Sequence, residues 1–197
     1  PDHWYVHDNR VYNYYRESGM QFNGSFNVIE NNEIYKVSDQ LDTPYGCQLL
    51  NLLGNNNIVR GNTFSRMGSG ANCLGLMFEW DLADVNLIEN NTFRDVPVAI
   101  SIQGGDGNII RNNYFEAAVS DARAGIVIAS YDDRSDWPCN EPDSISPPDN
   151  PDHPEYGYYY PHDCHSKNNK VIGNTFVGFE TDWIMQPVTM ESNIFSD

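Results

Sequence analysis

The stretch Asn86-Leu-Ile-Glu-Asn-Asn91-Thr-Phe93 decides the fold, because it recurs. Asn27-Val-Ile-Glu-Asn-Asn32-Glu-Ile34 and Asn57-Ile-Val-Arg-Gly-Asn62-Thr-Phe64 repeat it, as do Asn108-Ile-Ile-Arg-Asn-Asn113-Tyr-Phe115 and Asn169-Lys-Val-Ile-Gly-Asn174-Thr-Phe176. Looser copies stand at Trp4 to Val11, around Asn9, and at Val188 to Phe195, around Asn193. Three residues before the second Asn stands Val6, Ile29, Val59, Ile88, Ile110, Val171 or Met190. Two residues after it stands Val11, Ile34, Phe64, Phe93, Phe115, Phe176 or Phe195. A register kept seven times is a structural repeat.

The second Asn recurs at intervals of 23, 30, 29, 22, 61 and 19 residues. Between most copies lies another apolar stretch: Gly19-Met-Gln-Phe22, Gly46-Cys-Gln-Leu49, Gly75-Leu-Met-Phe78, Ala99-Ile-Ser-Ile102, Gly125-Ile-Val-Ile128 and Trp183-Ile-Met185. These are short, rich in β-branched and aromatic residues, and bounded by turn formers, so they read as strands. No stretch sustains a helical period. Each repeat is thus two or three short strands. One repeat cannot bury its apolar face alone, but stacked repeats can, as parallel coils of a solenoid. The recurring Asn is expected at a bend, where it tolerates positive φ, and successive side chains form an amide ladder at about 4.8 Å. Asn occurs 24 times in the chain, and the ladder accounts for much of that number.

Composition limits the partners. Hydrophobic residues make up 40% of the 197 and charged residues 20%, which suits a folded chain. The net charge of −17 argues against nucleic acid or an anionic membrane as partner. The apolar runs are far shorter than a membrane-spanning helix requires.

The Asn-x-Ile-x-x-Asn-x-Phe repeat with Gly-Ile-x-Ile strands between resembles the right-handed parallel β-helix of the pectate-lyase-like superfamily. The resemblance covers nearly all of residues 1–197 except 131–166. It implies an all-β, single-stranded solenoid of about seven coils, outside the cell or at its surface. It also implies a polysaccharide or other glycan as partner and no organic cofactor. Relatives of this shape include lyases, glycosidases, epimerases and adhesins, so the fold alone does not select a reaction.

One outward position reads Glu30, Arg60, Glu89 and Arg111 in successive coils, and alternating signs predict a cross-coil ion-pair row. Aligning the Gly-Ile-x-Ile strands places Gln21, Gln48, Met77, Ser101, Val127 and Ile184 in one outward column. Asn23, Leu50, Glu79, Gln103, Ala129 and Gln186 fall in the next. An amide-rich stripe with Trp80 beside it suits sugar hydroxyls and ring faces. Gln21, Gln48, Trp80, Gln103 and Gln186 are therefore substrate-binding candidates, with Tyr158 from the insertion. Glu79 and Asp81 lie two residues apart and share a strand face, at a spacing compatible with paired-carboxylate hydrolysis.

The 61-residue interval holds a coil and an insertion at 131–166, with seven of the eleven prolines and nine acids against one Arg. Proline at that density excludes helix and interior strand. Cys139 and Cys164 bracket its centre and are read as a disulfide in an oxidising compartment. Asp132, Asp133, Asp136 and Asp163 are candidate Ca²⁺ ligands. His162 and His165 are candidates for general base or metal ligand. Tyr160-Pro-His162-Asp163 resembles the Asp-Pro-His-Asp of alginate-epimerase-like β-helix enzymes, with Tyr160 replacing the first Asp. The pairing of Cys47 and Cys73 stays open, since their registers differ when Cys47 is aligned with Leu76.

The repeats run to both ends without an evident cap, so a segment of a longer chain or end-to-end self-assembly is expected. The leading expectation is an extracellular carbohydrate-engaging protein, an enzyme of hydrolase, lyase or epimerase type. The alternatives are a filament or adhesin segment and a sugar-binding module without turnover.

Overall fold

The computed structural model describes residues 2–12, 14, 18–36, 47–66, 73–78, 83–117, 124–129, 166–179, 189–191 and 193–196. Nineteen strands occur among them. In chain order they are β1 (Tyr5–His7), β2 (Arg10–Tyr12), β3 (Ser18–Phe22), β4 (Val28–Glu30), β5 (Glu33–Lys36) and β6 (Gln48–Leu52). Next come β7 (Ile58–Arg60), β8 (Thr63–Arg66), β9 (Leu74–Phe78), β10 (Leu87–Glu89), β11 (Thr92–Arg94) and β12 (Val98–Gln103). The last are β13 (Ile109–Arg111), β14 (Tyr114–Glu116), β15 (Ala124–Ala129), β16 (Lys170–Ile172), β17 (Thr175–Val177), β18 (Thr189–Glu191) and β19 (Ile194–Ser196).

These strands form three parallel sheets. The first is ordered β1-β4-β7-β10-β13-β16-β18, the second β2-β5-β8-β11-β14-β17-β19 and the third β3-β6-β9-β12-β15. In the first five coils the chain therefore visits one strand of each sheet per coil and rises by one strand spacing, as a right-handed parallel β-helix does; the last two coils add strands to the first and second sheets among the described residues. The register is the one in which the repeat is written. Val6, Ile29, Val59, Ile88, Ile110 and Val171 align across the first sheet. Val11, Ile34, Phe64, Phe93, Phe115 and Phe176 align across the second. The third contributes Leu50, Leu76, Ile100 and Ile126, so one continuous apolar core fills the triangle. Phe64, Phe93, Phe115 and Phe176 stack with centroid separations of 4.8, 5.0 and 4.5 Å.

The Asn form two ladders, buried except at the ends of the first. Asn9, Asn32, Asn62, Asn91, Asn113, Asn174 and Asn193 make one. Each backbone N–H donates to Oδ1 of the Asn one coil on, at 2.8–2.9 Å. The Nδ2 group donates to that same oxygen, as from Asn62 to Asn91 at 3.0 Å, and to a carbonyl of the preceding coil, as to Ile29 at 2.9 Å. Asn27, Asn57, Asn86, Asn108 and Asn169 make the other. The ladder satisfies bend backbone amides that no sheet reaches.

The conformational expectation is corrected in one respect: the ladder Asn does not carry positive φ. The residue before it does: Asp8, Asn31, Gly61, Asn90, Asn112 and Gly173, with φ of 55–64°. That frees the ladder side chain to point inward while its exposed neighbour makes the bend. A third ladder escaped the sequence reading. The N–H groups of Ser25, Asn55, Asp84 and Asp106 donate to side-chain oxygens of Asp2, Ser25, Asn55 and Asp84 in the coil before. Its signal was present: a short polar acceptor stands two residues before the first Asn of four repeats.

The neighbouring bend column holds Phe26, Asn56, Val85, Gly107 and Asn168, with φ of 54–64°. Val85 is β-branched, exposed and in the left-handed region, which costs on the order of 1 kcal/mol or more. Val85→Asn, the residue of the coil before, is expected to stabilise the protein by about 1 kcal/mol. A urea midpoint that stays unchanged or falls would show that Val85 is not strained. Coils also approach too closely for side chains at Gly54, where an added Cβ would lie 2.0 Å from the carbonyl oxygen of Gly24.

Candidate functional site

The third sheet positions the expected binding stripe, and here the register differs from the aligned one. Gln21 pairs with Asn51, Asn51 with Met77, Met77 with Ser101, and Ser101 with Val127. Gln48 instead aligns with Ser18 and Leu74, three residues away from that column. Leu50, expected to face outward, belongs to the inward column of Leu76 and Ile100. The second Gly-x-x-apolar stretch misled the alignment because β6 extends to Leu52, and Leu50-Asn-Leu52 is the segment that matches Leu76-Met-Phe78.

Accessibility divides this stripe. Asn51, Met77 and Ser101 are buried, at 4%, 8% and 6% exposure, although they point away from the core. Gln21 is exposed, and Gln48 and Gln103 are half-buried. Gln21 Nε2 donates to Asn23 Oδ1 at 2.9 Å, and Ser18 Oγ donates to Gln48 Oε1 at 3.2 Å. The accessible amides thus sit at separate places around a closed centre. Glu79, Trp80, Asp81, Asp132, Asp133, Asp136, Cys139, Tyr158, His162, Asp163, Cys164, His165 and Gln186 lie outside the described residues.

Cys47 and Cys73 are joined. They occupy neighbouring coils in one register, directly before the paired Gln48 and Leu74, with Cα atoms 4.4 Å apart. The same three-residue slip that displaced Gln48 had put them out of step. Both are buried in the core. Tyr14 Oη lies 3.5 Å from Cys47 Sγ and donates to the Gln48 carbonyl at 2.8 Å, and burial raises the Tyr14 phenol well above its ordinary pKa. Lys36, also buried, donates to the Tyr14 carbonyl and lies 4.4 Å from the Tyr14 ring centroid. This cluster ties the second and third sheets together at a corner.

On the first sheet the charged row forms as expected. Arg60 grips Glu30 through Nε at 2.9 Å and an Nη at 3.1 Å, and Arg111 grips Glu89 at 2.8 and 2.6 Å. Tyr5 donates its hydroxyl to Glu30 at 2.6 Å. The Arg60 hydrogen bonds, with that of Tyr5, hold the Glu30 carboxyl below its usual pKa of 4.5. Its contribution is therefore full above the ordinary carboxylate range and is lost as pH falls through the lowered value. Arg60→Ala should lower stability only slightly at neutral pH, because the pair is solvated. The difference between the two proteins should shrink on acid titration followed by circular dichroism; a difference that widens would reverse the linkage.

Residues 2–134 match the family model described as "NosD: Periplasmic copper-binding protein (NosD)". The chain belongs to the NosD family. A search of curated proteins and a search of solved structures each give no match. The family description raises the question of whether the residues present fit copper, which prefers thiolate, thioether and imidazole donors. Among the described residues they do not. The Cys47 and Cys73 sulfurs are spent on each other. His3 stacks on Phe26 at 5.2 Å, while His7 Nδ1 meets Asp8 Oδ2 at 2.7 Å at the other end of β1. No group of three His, Cys, Asp or Glu converges among the described residues. His153, His162 and His165 lie outside them.

Proposed function

We propose that the protein works outside the cytoplasm as a rigid β-helix that engages a glycan on its third sheet. The observation that carries this reading is a contrast between sheets. Polar groups at the bends are consumed by ladders and those of the first sheet by ion pairs, whereas Gln21, Gln48 and Gln103 keep accessible amides that no coil repeats. Amides can donate to and accept from sugar hydroxyls at once. The Cys47–Cys73 disulfide and the periplasmic description of the family both support an oxidising compartment. The Glu79 and Asp81 carboxylates supply the acid and base of a hydrolytic reading, and His162 or His165 the base of an elimination or epimerisation.

A panel of neutral and uronic polysaccharides, read for reducing ends and for the absorbance of unsaturated products, tests turnover. Product release that disappears in Glu79→Gln, with the melting temperature kept, supports a hydrolase. Binding without release supports a module that holds sugar. Absence of both binding and release from every glycan would overturn the reading.

A second reading rests on the family's description: copper binding through the imidazoles of His162 and His165, since the described coils supply no suitable set. Copper suits these donors better than Ca²⁺ does, whereas the carboxylates Asp132, Asp133, Asp136 and Asp163 suit Ca²⁺. Metal analysis after loading and desalting should show copper retained by the protein and lost from the His162→Ala, His165→Ala double variant. Equal copper in both proteins would reject those ligands.

A further inference from the structure

We infer that the insertion docks on the third sheet of its own chain, with Asn51, Met77 and Ser101 at the centre of that intramolecular interface. The inference stands apart from the glycan reading and needs no ligand. Its first ground is burial where alternation gives exposure. Gln21, Asn51, Met77, Ser101 and Val127 form one outward column across β3, β6, β9, β12 and β15. The three in the middle are buried, whereas Gln21 is exposed and Val127 half-buried. On the first sheet no outward residue is buried among the described residues. A cover therefore lies over β6, β9 and β12, a width of about 10–15 Å at the strand spacing. It belongs to this chain, because the burial is that of a single chain.

The places where the insertion leaves and rejoins the coils select the segment. Ala129 pairs with Gln103, and the Gly104 N–H donates to Ser166 Oγ at 3.1 Å. Both ends therefore meet at the end of β12, just beyond Ser101. A segment anchored there either runs out to solvent or folds back over β12, β9 and β6. The buried residues lie along the second course. The chemistry of the segment matches as well, since it carries Trp137 and Tyr156-Gly-Tyr-Tyr-Tyr160. Aromatic rings suit Met77, and phenol hydroxyls suit the Asn51 amide and the Ser101 hydroxyl, whose burial is unfavourable without hydrogen bonds. The other connections beside this sheet, 37–46, 67–72, 79–82 and 118–123, hold ten residues or fewer and each has to bridge two strands.

The repeat itself provides a seam for removing the insertion. Four residues, Gly104 to Gly107, separate Gln103 from Asn108 in the coil before. Deleting 131–165 leaves four between Ala129 and Asn169 as well: Ser130, Ser166, Lys167 and Asn168. Adding Ser130→Gly completes the match, since Gly104 has φ of 94°. Met77 is a native probe of the interface. Its oxidation by peroxide, mapped by peptide mass spectrometry, should be slow in the intact protein and about tenfold faster in the deletion variant. Circular dichroism and thermal melting check that the variant keeps its coils. Fast oxidation of Met77 in the intact protein would overturn the docking. Continued protection in a folded deletion variant assigns the cover to another segment and overturns it equally. Intact protein carrying a photo-reactive diazirine methionine decides the matter if the variant does not fold. Met77 should then cross-link into 131–165. Links from Met77 only to 37–46, 67–72, 79–82 or 118–123, only to a second chain, or to nothing overturn the inference.

Discussion

Asn62→Ala is expected to destabilise the protein by at least about 3 kcal/mol, although it removes a polar group from the interior. The side chain serves five contacts. Its Oδ1 accepts from the N–H and the Nδ2 of Asn32, at 2.8 and 3.0 Å. Its Nδ2 donates to the carbonyls of Ile29 and Arg60 and to Asn91 Oδ1, at 2.9, 3.0 and 3.0 Å. Alanine leaves the buried Asn32 amide without its acceptor, and each unmet buried group costs about 1–3 kcal/mol. The loss is not confined to one coil, because every rung both gives and receives. Asn23→Ala gives the contrast: Asn23 is exposed and outside the ladders, and its replacement should fall within about 0.5 kcal/mol of the parent. Urea unfolding of the two variants measures the difference. Similar midpoints would show that the ladder is not a source of stability.

Phe93→Ala should cost about 3–5 kcal/mol, the range for deleting a buried aromatic ring. Phe93 is fully buried and lies between Phe64 at 4.8 Å and Phe115 at 5.0 Å. Neighbouring coils are fixed at the strand spacing by paired backbones above and below, so they cannot close over the void. The large end of the range follows from that rigidity. Phe93→Leu, which keeps most of the volume, should cost less than half as much. Equal thermal shifts for the two variants would mean that the coils do relax, and that stacking geometry contributes little.

Both effects are legible in outline in the sequence. Seven copies with apolar residues at fixed offsets from an Asn dictated parallel coils, because a repeat of that length has no other way to bury its face. The same offsets placed Glu30 beside Arg60 and Glu89 beside Arg111, since coils in register bring equal positions together. The reading weakened where the repeat did. The third-sheet strands lack an Asn to anchor their alignment, so the Gly46-Cys-Gln-Leu49 stretch was matched three residues early. That slip moved Gln48 into a column it does not share, turned Leu50 outward and separated Cys47 from Cys73.

The sequence by itself determined the architecture: hydrophobic period, Asn spacing and the parallel stacking they impose are local patterns repeated along the chain. Only the tertiary structure decided the rest. It moved the left-handed bend to the residue before the ladder Asn, and it joined Cys47 to Cys73. It buried Asn51, Met77 and Ser101 on a face that alternation alone leaves to solvent. The physical reason is the same in each case. A period states which way a side chain points, whereas which coil it meets and what lies over it depend on a register summed over bends of unequal length.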